Sequence, residues 1–466
     1  MAPTHDGRPT GGPARGADPT RWPALDEQAL AEVVRFTSDL IRIDTTNRGG
    51  GSCWERPAAE YVAERLSEAG VEAVLLEAAP GRTNVVARIA GRDRTAPGLL
   101  VHGHLDVVPA EAADWSVHPF SGEIRDGVVW GRGAIDMKNM DAMMVAVVRA
   151  WQRLGLQPRR DVVLAFTADE EDSAEAGSGF LADQHAALFV GCTEGVSESG
   201  AFTYYGTTPG ADRERRLYPI AAGERGTAWL RLTAHGRAGH GSKINDVNAV
   251  SRLAAAVARI GEHRWPVRLT PTVRGALSEL AQLYGVKAEL DAPDFDVDAL
   301  LAELGSAAEL IAPTVRNSAN PTMLDAGYKV NVIPGSATAF VDGRVLPGCE
   351  EEFTATLDAL TGPHVEWDYH HREVPLSAPV DGPTFAAMRA AVERFDPDGH
   401  VVPYCMAGGT DAKQFSRLGI TGYGFSPLKL PRGFDYAALF HGVDERVPVE
   451  ALHFGVRVLD HFLREA

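Results

Sequence analysis

The chain has only four cysteines in 466 residues, and Cys53, Cys192, Cys349 and Cys405 form no Cys-x-x-Cys pair. That spacing excludes both a disulfide framework and a thiolate zinc site, and a reducing cytoplasm is the expected home. Basic residues are also short: 45 Lys and Arg stand against 63 Asp and Glu, a formal net charge of −18. A surface of that sign repels nucleic acid and anionic membrane, so neither is expected as a partner. No apolar run approaches the roughly 18–20 residues of a membrane span. Residues 1–20, rich in Gly, Pro and Thr, lack the apolar stretch of a secretory signal and read as a disordered arm. What is there is an ordinary globular mixture, 45% hydrophobic and 23% charged, long enough for two or three domains.

Apolar residues recur at helical spacing over 26–43 and again over 56–69, where Gly70 provides a stop. Short apolar runs at 83–89, 98–105 and 161–167 read as strands, with a helix over 137–154 before the last of them. Strands alternating with helices predict an α/β layered domain with a mixed sheet. From Gly226 the pattern changes. TAWLRLTAHG alternates like a half-exposed strand, 245–260 is an Ala-rich amphipathic helix, and 337–345 alternates again. Residues 222–345 therefore read as an α+β lid or dimerisation domain inserted into a catalytic domain formed by 21–221 and 346–466. Trp229 to Thr233 is expected as an edge strand that could pair across a two-fold axis. A helix over 451–463 closes the chain.

Polar residues gather where these runs end. In LLVHGHLDVVPA, period 2 puts His102, His104 and Asp106 on one strand face. A histidine there can offer a ring nitrogen to a metal while a carboxylate fixes its tautomer, or the segment is simply a polar strand end. Asp136 follows a Gly-rich turn and opens a helix, the usual place for an N-cap. VVLAFT runs into Asp169, Glu170, Glu171 and Asp172; four adjacent anions call for solvent or a cation. Glu194 follows another apolar run and reads equally as a surface loop, while His441 follows an aromatic and apolar one, where a lone histidine is more often a packed or capping residue than a ligand. Two histidines and several carboxylates at strand ends, with no thiolates, suit zinc, cobalt or manganese.

GHLDVVP, GRGAIDMK, DEED, TEGVSESG, GRAGHGS, VNVIPG, GGTDAKQFSRLGI and LFHGVDERVP, in that order, resemble the M20 family of metallopeptidases. The resemblance covers nearly the whole chain after about residue 30. It implies a pair of divalent ions, usually zinc, with His104 and Glu194 on one, Glu171 and His441 on the other, and Asp136 between them. It further implies Asp106 as the carboxylate that orients His104 and Glu170 as general base. His240 would be the oxyanion donor reaching over from the lid, of this chain or of a second copy. Substrate carboxylate recognition is expected from Arg344, Asn331 and the backbone of Gly408, Gly409 and Thr410, with a structural ion pair the other reading of Arg344. Asp411 is expected beside that loop as a structural residue. The implied reaction is hydrolysis of the amide of a dipeptide or N-acyl amino acid, with a homodimer through the lid. A specialised biosynthetic or catabolic amide, or metal binding without catalysis, are the alternatives.

Overall fold

In the computed structural model, which describes residues 24–210 and 214–466, the apolar runs of the first half become the middle of one ten-stranded mixed sheet; the expected arm lies outside the described residues. The strand order is Ala73–Ala79, Arg82–Ile89, Val162–Thr167, Gly98–His104, Cys192–Ser197, Thr421–Gly424, Arg215–Glu224 and Leu376–Ser377, with His400–Met406 and Tyr204–Gly206 also paired to Arg215–Glu224. Four of these, Val162–Thr167, Gly98–His104, Cys192–Ser197 and Thr421–Gly424, are successively parallel. Val162–Thr167 and Gly98–His104 are buried along their whole length because both of their faces are covered. Leu99 and Val101 pack under the helices Glu27–Arg42, Lys138–Leu154 and Val449–Glu465, while Leu100 packs with Leu181, Phe189 and Phe415 on the opposite face. Each such side chain contributes about 1.5–3 kcal/mol relative to exposure.

Local signals set the helix ends. Asp26 caps the first helix by accepting the Ala29 N–H at 2.8 Å. The fully buried Lys138 places its ammonium on the Leu40 and Ile43 carbonyls at that helix's C-terminal end, where the helix dipole favours a cation.

A second, four-stranded antiparallel sheet has the order Ser318–Ala326, Ser336–Val345, Gly226–His235, Val365–Arg372. The helices Ala249–Glu262 and Glu350–Thr361 cover one of its faces, around Leu230, Leu232, Val341 and Phe353. Its extent differs from the expected 222–345 in two ways. VEWDYHHR, at 365–372, is the partner of Gly226–His235, so the small sheet runs past residue 345. The helices Pro271–Tyr284 and Val297–Leu304 instead pack against Leu217, Val402 and Cys405 of the large sheet. Trp229 to Thr233 is therefore interior, hydrogen-bonded on both sides; the strands at the margins are Ser318–Ala326 and Val365–Arg372.

Candidate metal centre

The parallel strands all end at one margin of the large sheet, where side chains leave the ladder and face the crevice beyond it. Gly98–His104 ends in His104, Val162–Thr167 runs into the acidic loop, and Cys192–Ser197 delivers Glu198. Asp169 (φ 66°), Ser199 (φ 64°) and His441 (φ 58°) are left-handed although none is glycine. Such conformations persist only where the surroundings hold them, and they gather at functional sites. Here they lie beside Glu170, beside Glu198 and at His441 itself.

Asp136 sits at the centre of these groups. Its Oδ1 is 3.1 Å from His104 Nε2 and its Oδ2 is 2.9 Å from His441 Nε2. Glu171 Oε2 lies 3.2 Å from the same His441 nitrogen, while Glu170 Oε2 and Glu198 Oε1 each lie 3.9 Å from His104 Nε2. His104, Asp136 and Glu171, and likewise His104, Glu170 and Glu198, bring ligand atoms within 4.8 Å of one another. Donor atoms around a metal at about 2.0–2.2 Å stand roughly 3–3.5 Å apart, so these separations suit a bound cation. Burial raises Glu170 well above the carboxylate range, with the Glu198 charge adding to it; burial and then Asp136 do the same to Glu198. Burial also raises Asp136, but its hydrogen bonds with His104 and His441 outweigh this and hold it below its usual value. His441 is pushed up to about 10 by its bonds to Asp136 and Glu171. Glu171 Oε1 is buried without a hydrogen-bond partner among the described residues. Crowded anions, two imidazoles and an unpaired buried carboxylate oxygen fit a metal ion.

Neighbouring residues fix these groups in place. His104 Nδ1 faces the Asp106 carbonyl at 2.9 Å and its carboxylate at 3.6 Å, which turns Nε2 toward Asp136. The Asp106 carboxylate accepts the backbone N–H groups of Glu170 and Glu171 and the Asn47 amide. It thus sets the acidic loop as well as the imidazole. That loop divides its four carboxylates: Asp169 turns inward to Arg82, Asn47 and Ser173, Glu170 and Glu171 face His104 and His441, and Asp172 lines the cleft. The Gly-rich turn before Asp136 wraps around Glu445, which accepts the N–H groups of Gly133, Ile135 and Asp136 and the Arg132 guanidinium. Gly131 is obligatory in that turn: its φ is 146° and a Cβ would stand 2.3 Å from Ile41. Asp411 accepts the Thr167 and Ser178 hydroxyls, the structural place expected for it.

Glu194 is not in this cluster. It pairs with Leu99 in the strand register, near the opposite end of Gly98–His104 from His104. Its carboxylate takes Arg160 at 2.7 Å and the Thr384 hydroxyl at 2.7 Å. The carboxylate facing His104 is Glu198, in the same TEGVSESG segment. Period 2 puts both glutamates on one face, but only the one past the strand's C-terminal end reaches the site. Asn47 and Arg82 lie outside the quoted motifs, and Glu445 lies inside LFHGVDERVP without a signal of its own; all three act through backbone or neighbouring groups.

A cleft of about 210 Å³ opens from Glu170 and Glu171 to the small sheet, where Thr227, Trp229, Arg344 and His371 line it, and to Gly409 and Thr410. Arg344 faces this cleft, yet its fork is bonded to Asp342 at 2.7 and 3.1 Å and to Thr227. The ion-pair reading of Arg344 is the one the structure displays. The Thr410 N–H and hydroxyl are both taken by Glu224, so they are not free for a substrate carboxylate. Gly408 has open space beside it, and Gly409 sits on the Lys413 ammonium, which is paired with Glu373. His240 is on a two-stranded ribbon, Gly239–His240 with the half-buried Val332–Ile333, and Asn331 is the exposed residue just before the second strand. His240 Nδ1 faces Ser242 Oγ and the Asn331 carbonyl accepts the Gly241 N–H; neither residue lines the cleft.

The chain resembles known proteins over most of its length. The chain is 25% identical over 464 residues to the N-fatty-acyl-amino acid synthase/hydrolase PM20D1 of Xenopus tropicalis, covering 93% of this chain and 85% of that protein. It is 25% identical over 413 residues to aminoacylase-1 of Sus scrofa, covering 87% and 89%. Its fold matches the M20 family metallo-carboxypeptidase Sso-CP2 from Sulfolobus solfataricus at a TM-score of 0.67 and 19% identity, over 93% of this chain and 99% of that one. Residues 100–465 match the profile of peptidase family M20/M25/M40, well over half of the sequence, and the chain belongs to that family.

Proposed function

We propose that the protein hydrolyses the amide bond of a dipeptide or an N-acyl amino acid at a two-metal site. The observation that carries this reading is the division of Asp136, one oxygen toward His104 and the other toward His441. His104, Glu198 and Asp136 would hold one divalent ion, and Asp136, Glu171 and His441 the other. Nitrogen and oxygen donors without thiolate suit zinc first, with cobalt or manganese as substitutes. When bound, the ions would polarise the scissile carbonyl and acidify a water. Glu170 accepts the proton from that water as its oxygen bonds to the carbonyl carbon, then passes the proton to the nitrogen as the C–N bond breaks. Burial among other anions raises the proton affinity of the Glu170 carboxylate, the property wanted of a group that first takes a proton and then returns it. Asp106 keeps both His104 and the Glu170 backbone in place. The substrate carboxylate meets Gly408 and Gly409 above the Lys413 ammonium, while Arg344 braces the cleft wall. His240 reaches the oxyanion only when the lid closes or a second copy supplies it. A homodimer through the lid would use the marginal strand Ser318–Ala326, and sedimentation at micromolar concentration tests for it.

Glu170→Gln separates the roles. It should keep the wild-type number of metal ions per chain by elemental analysis and lose at least about 100-fold in kcat. Wild-type turnover, or loss of metal with the change, would contradict the assignment of the base.

A further inference from the structure

The register of the small sheet brings a histidine to the wall that faces the acidic loop. His371 pairs with Trp229 across the ladder, their ring centroids stand 5.0 Å apart, and both line the cleft that holds Glu170 and Glu171. At about 210 Å³ the cleft has room for roughly seven waters at about 30 Å³ each, so a group bound against Glu170 also touches the far wall. The His371 side chain is 40% exposed there, with Nε2 3.8 Å from Glu373 Oε1. Among the described residues it makes no hydrogen bond. Glu373 ties this imidazole to the glycine turn. Its Oε2 accepts the Lys413 ammonium at 2.9 Å and the Thr227 hydroxyl at 2.8 Å, and a Cβ on Gly409 would stand 3.2 Å from that same oxygen. One carboxylate thus meets His371 on one side and the Gly408–Gly409 turn on the other. The N–H groups of that turn bond to no other described residue. The remaining donors expected for a substrate carboxylate are engaged or elsewhere: the Arg344 fork holds Asp342, Thr410 holds Glu224, and Asn331 is outside the cleft.

We infer that His371, and not Arg344, is the side chain that binds the carboxylate of the substrate, together with the backbone of Gly408 and Gly409. The inference rests on the amide-hydrolase reading above. It departs from the family resemblance, which implies Arg344 and Asn331 for this contact. An imidazolium donates from both ring nitrogens, so His371 can face Glu373 through Nε2 and the substrate through Nδ1. Glu373 orients the ring. The Lys413 ammonium, paired with Glu373, cancels the charge that would otherwise repel the substrate. The two glycine N–H groups complete the seat as an anion nest.

The test uses the metal-loaded full chain and two matched pairs, N-acetylphenylalanine and alanylphenylalanine, each beside its C-terminal carboxamide. The carboxamide keeps the scissile bond and the side chain and removes only the negative charge. In whichever pair is cleaved, the wild type should prefer the acid at least about tenfold in kcat/KM, the size of a hydrogen bond to a charged group. His371→Ala should reduce that preference at least about tenfold, chiefly by raising KM for the acid, with the wild-type number of metal ions retained. His371→Gln, which keeps a donor, should recover part of it. The acid-to-amide ratio cancels any loss common to both substrates, including partial misfolding. A ratio unchanged in His371→Ala overturns the inference, whatever happens to kcat. So does a preference that disappears in Arg344→Met while His371→Ala keeps it, or equal cleavage of acid and amide by the wild type. Failure of the underlying reading looks different: no member of either pair is cleaved by the metal-loaded protein, and the inference falls with it.

Discussion

Glu194 and Glu198 stand four residues apart with the same parity, and replacing each by alanine tests which of them is the metal ligand. Their Cα atoms are about 13 Å apart, so the two changes act on different ends of the sheet. Glu198→Ala takes away one of three protein donors, leaving His104 Nε2 and Asp136 Oδ1. Loss of a group that merely orients a ligand weakens metal binding by roughly 10–100-fold, so loss of a ligand should weaken that subsite by at least about 100-fold, near 2.7 kcal/mol. After gel filtration Glu198→Ala should retain about one ion fewer per chain than wild type, and competition with a chromophoric chelator should show the weakened subsite. Glu194→Ala should keep the full complement but strand Arg160, whose side chain is 6% exposed, lowering stability by about 1–3 kcal/mol in a thermal melt. A second consequence has the opposite sign. Burial raises Glu198 and Glu170 above the usual 4.5, so their contribution to stability is present below about pH 4.5 and fades as pH rises through their folded-state values. Metal-stripped Glu198→Gln should therefore melt higher than metal-stripped wild type at pH 8, and lower than wild type once metal is added. Metal lost by Glu194→Ala and kept by Glu198→Ala would refute this placement of the ligand.

Metal loading should release protons, because the His441 imidazole, raised to about 10 by Asp136 and Glu171, holds a proton at neutral pH that a metal must displace. Calorimetry at pH 7.5 in two buffers of different ionisation enthalpy should show at least about one proton released per chain; no release would contradict the contact. Arg82→Met should destabilise the fold by about 3–5 kcal/mol in denaturant, since it leaves Glu55 and Asp169 buried and unpaired where the guanidinium now sits at 2.8 and 2.7 Å. An unchanged midpoint would mean the pair is solvated.

Much of the fold could be read from periodicity. The helices at Glu27–Arg42, Lys138–Leu154 and Val449–Glu465 and the strands at Gly98–His104 and Val162–Thr167 lie where the apolar spacing put them, because each segment buries one strong stripe or both faces. The reach of the small sheet was harder to read. VEWDYHHR alternates as plainly as TAWLRLTAHG, but only pairing across about 135 residues assigns it to that sheet, and local pattern carries no pairing information. The site divides along the same line. Asp136 and His441 lie in turns with one candidate side chain each, and His104 and Glu171 in segments at the carboxyl end of a parallel strand. TEGVSESG offers two glutamates of equal parity, and the rule that ligands collect beyond the carboxyl ends of parallel strands selects Glu198. Arg344 and Thr410 are the types that bind carboxylates, yet their donors are taken by Asp342 and Glu224, acceptors distant or unremarked in sequence.

The most direct test of the central claim is release of free amine from a panel of dipeptides and N-acyl amino acids, using metal-stripped protein before and after adding zinc, cobalt or manganese. The account predicts no release without metal and rapid release after its return. Equal release in both states, or none from any substrate although metal is bound, would contradict it.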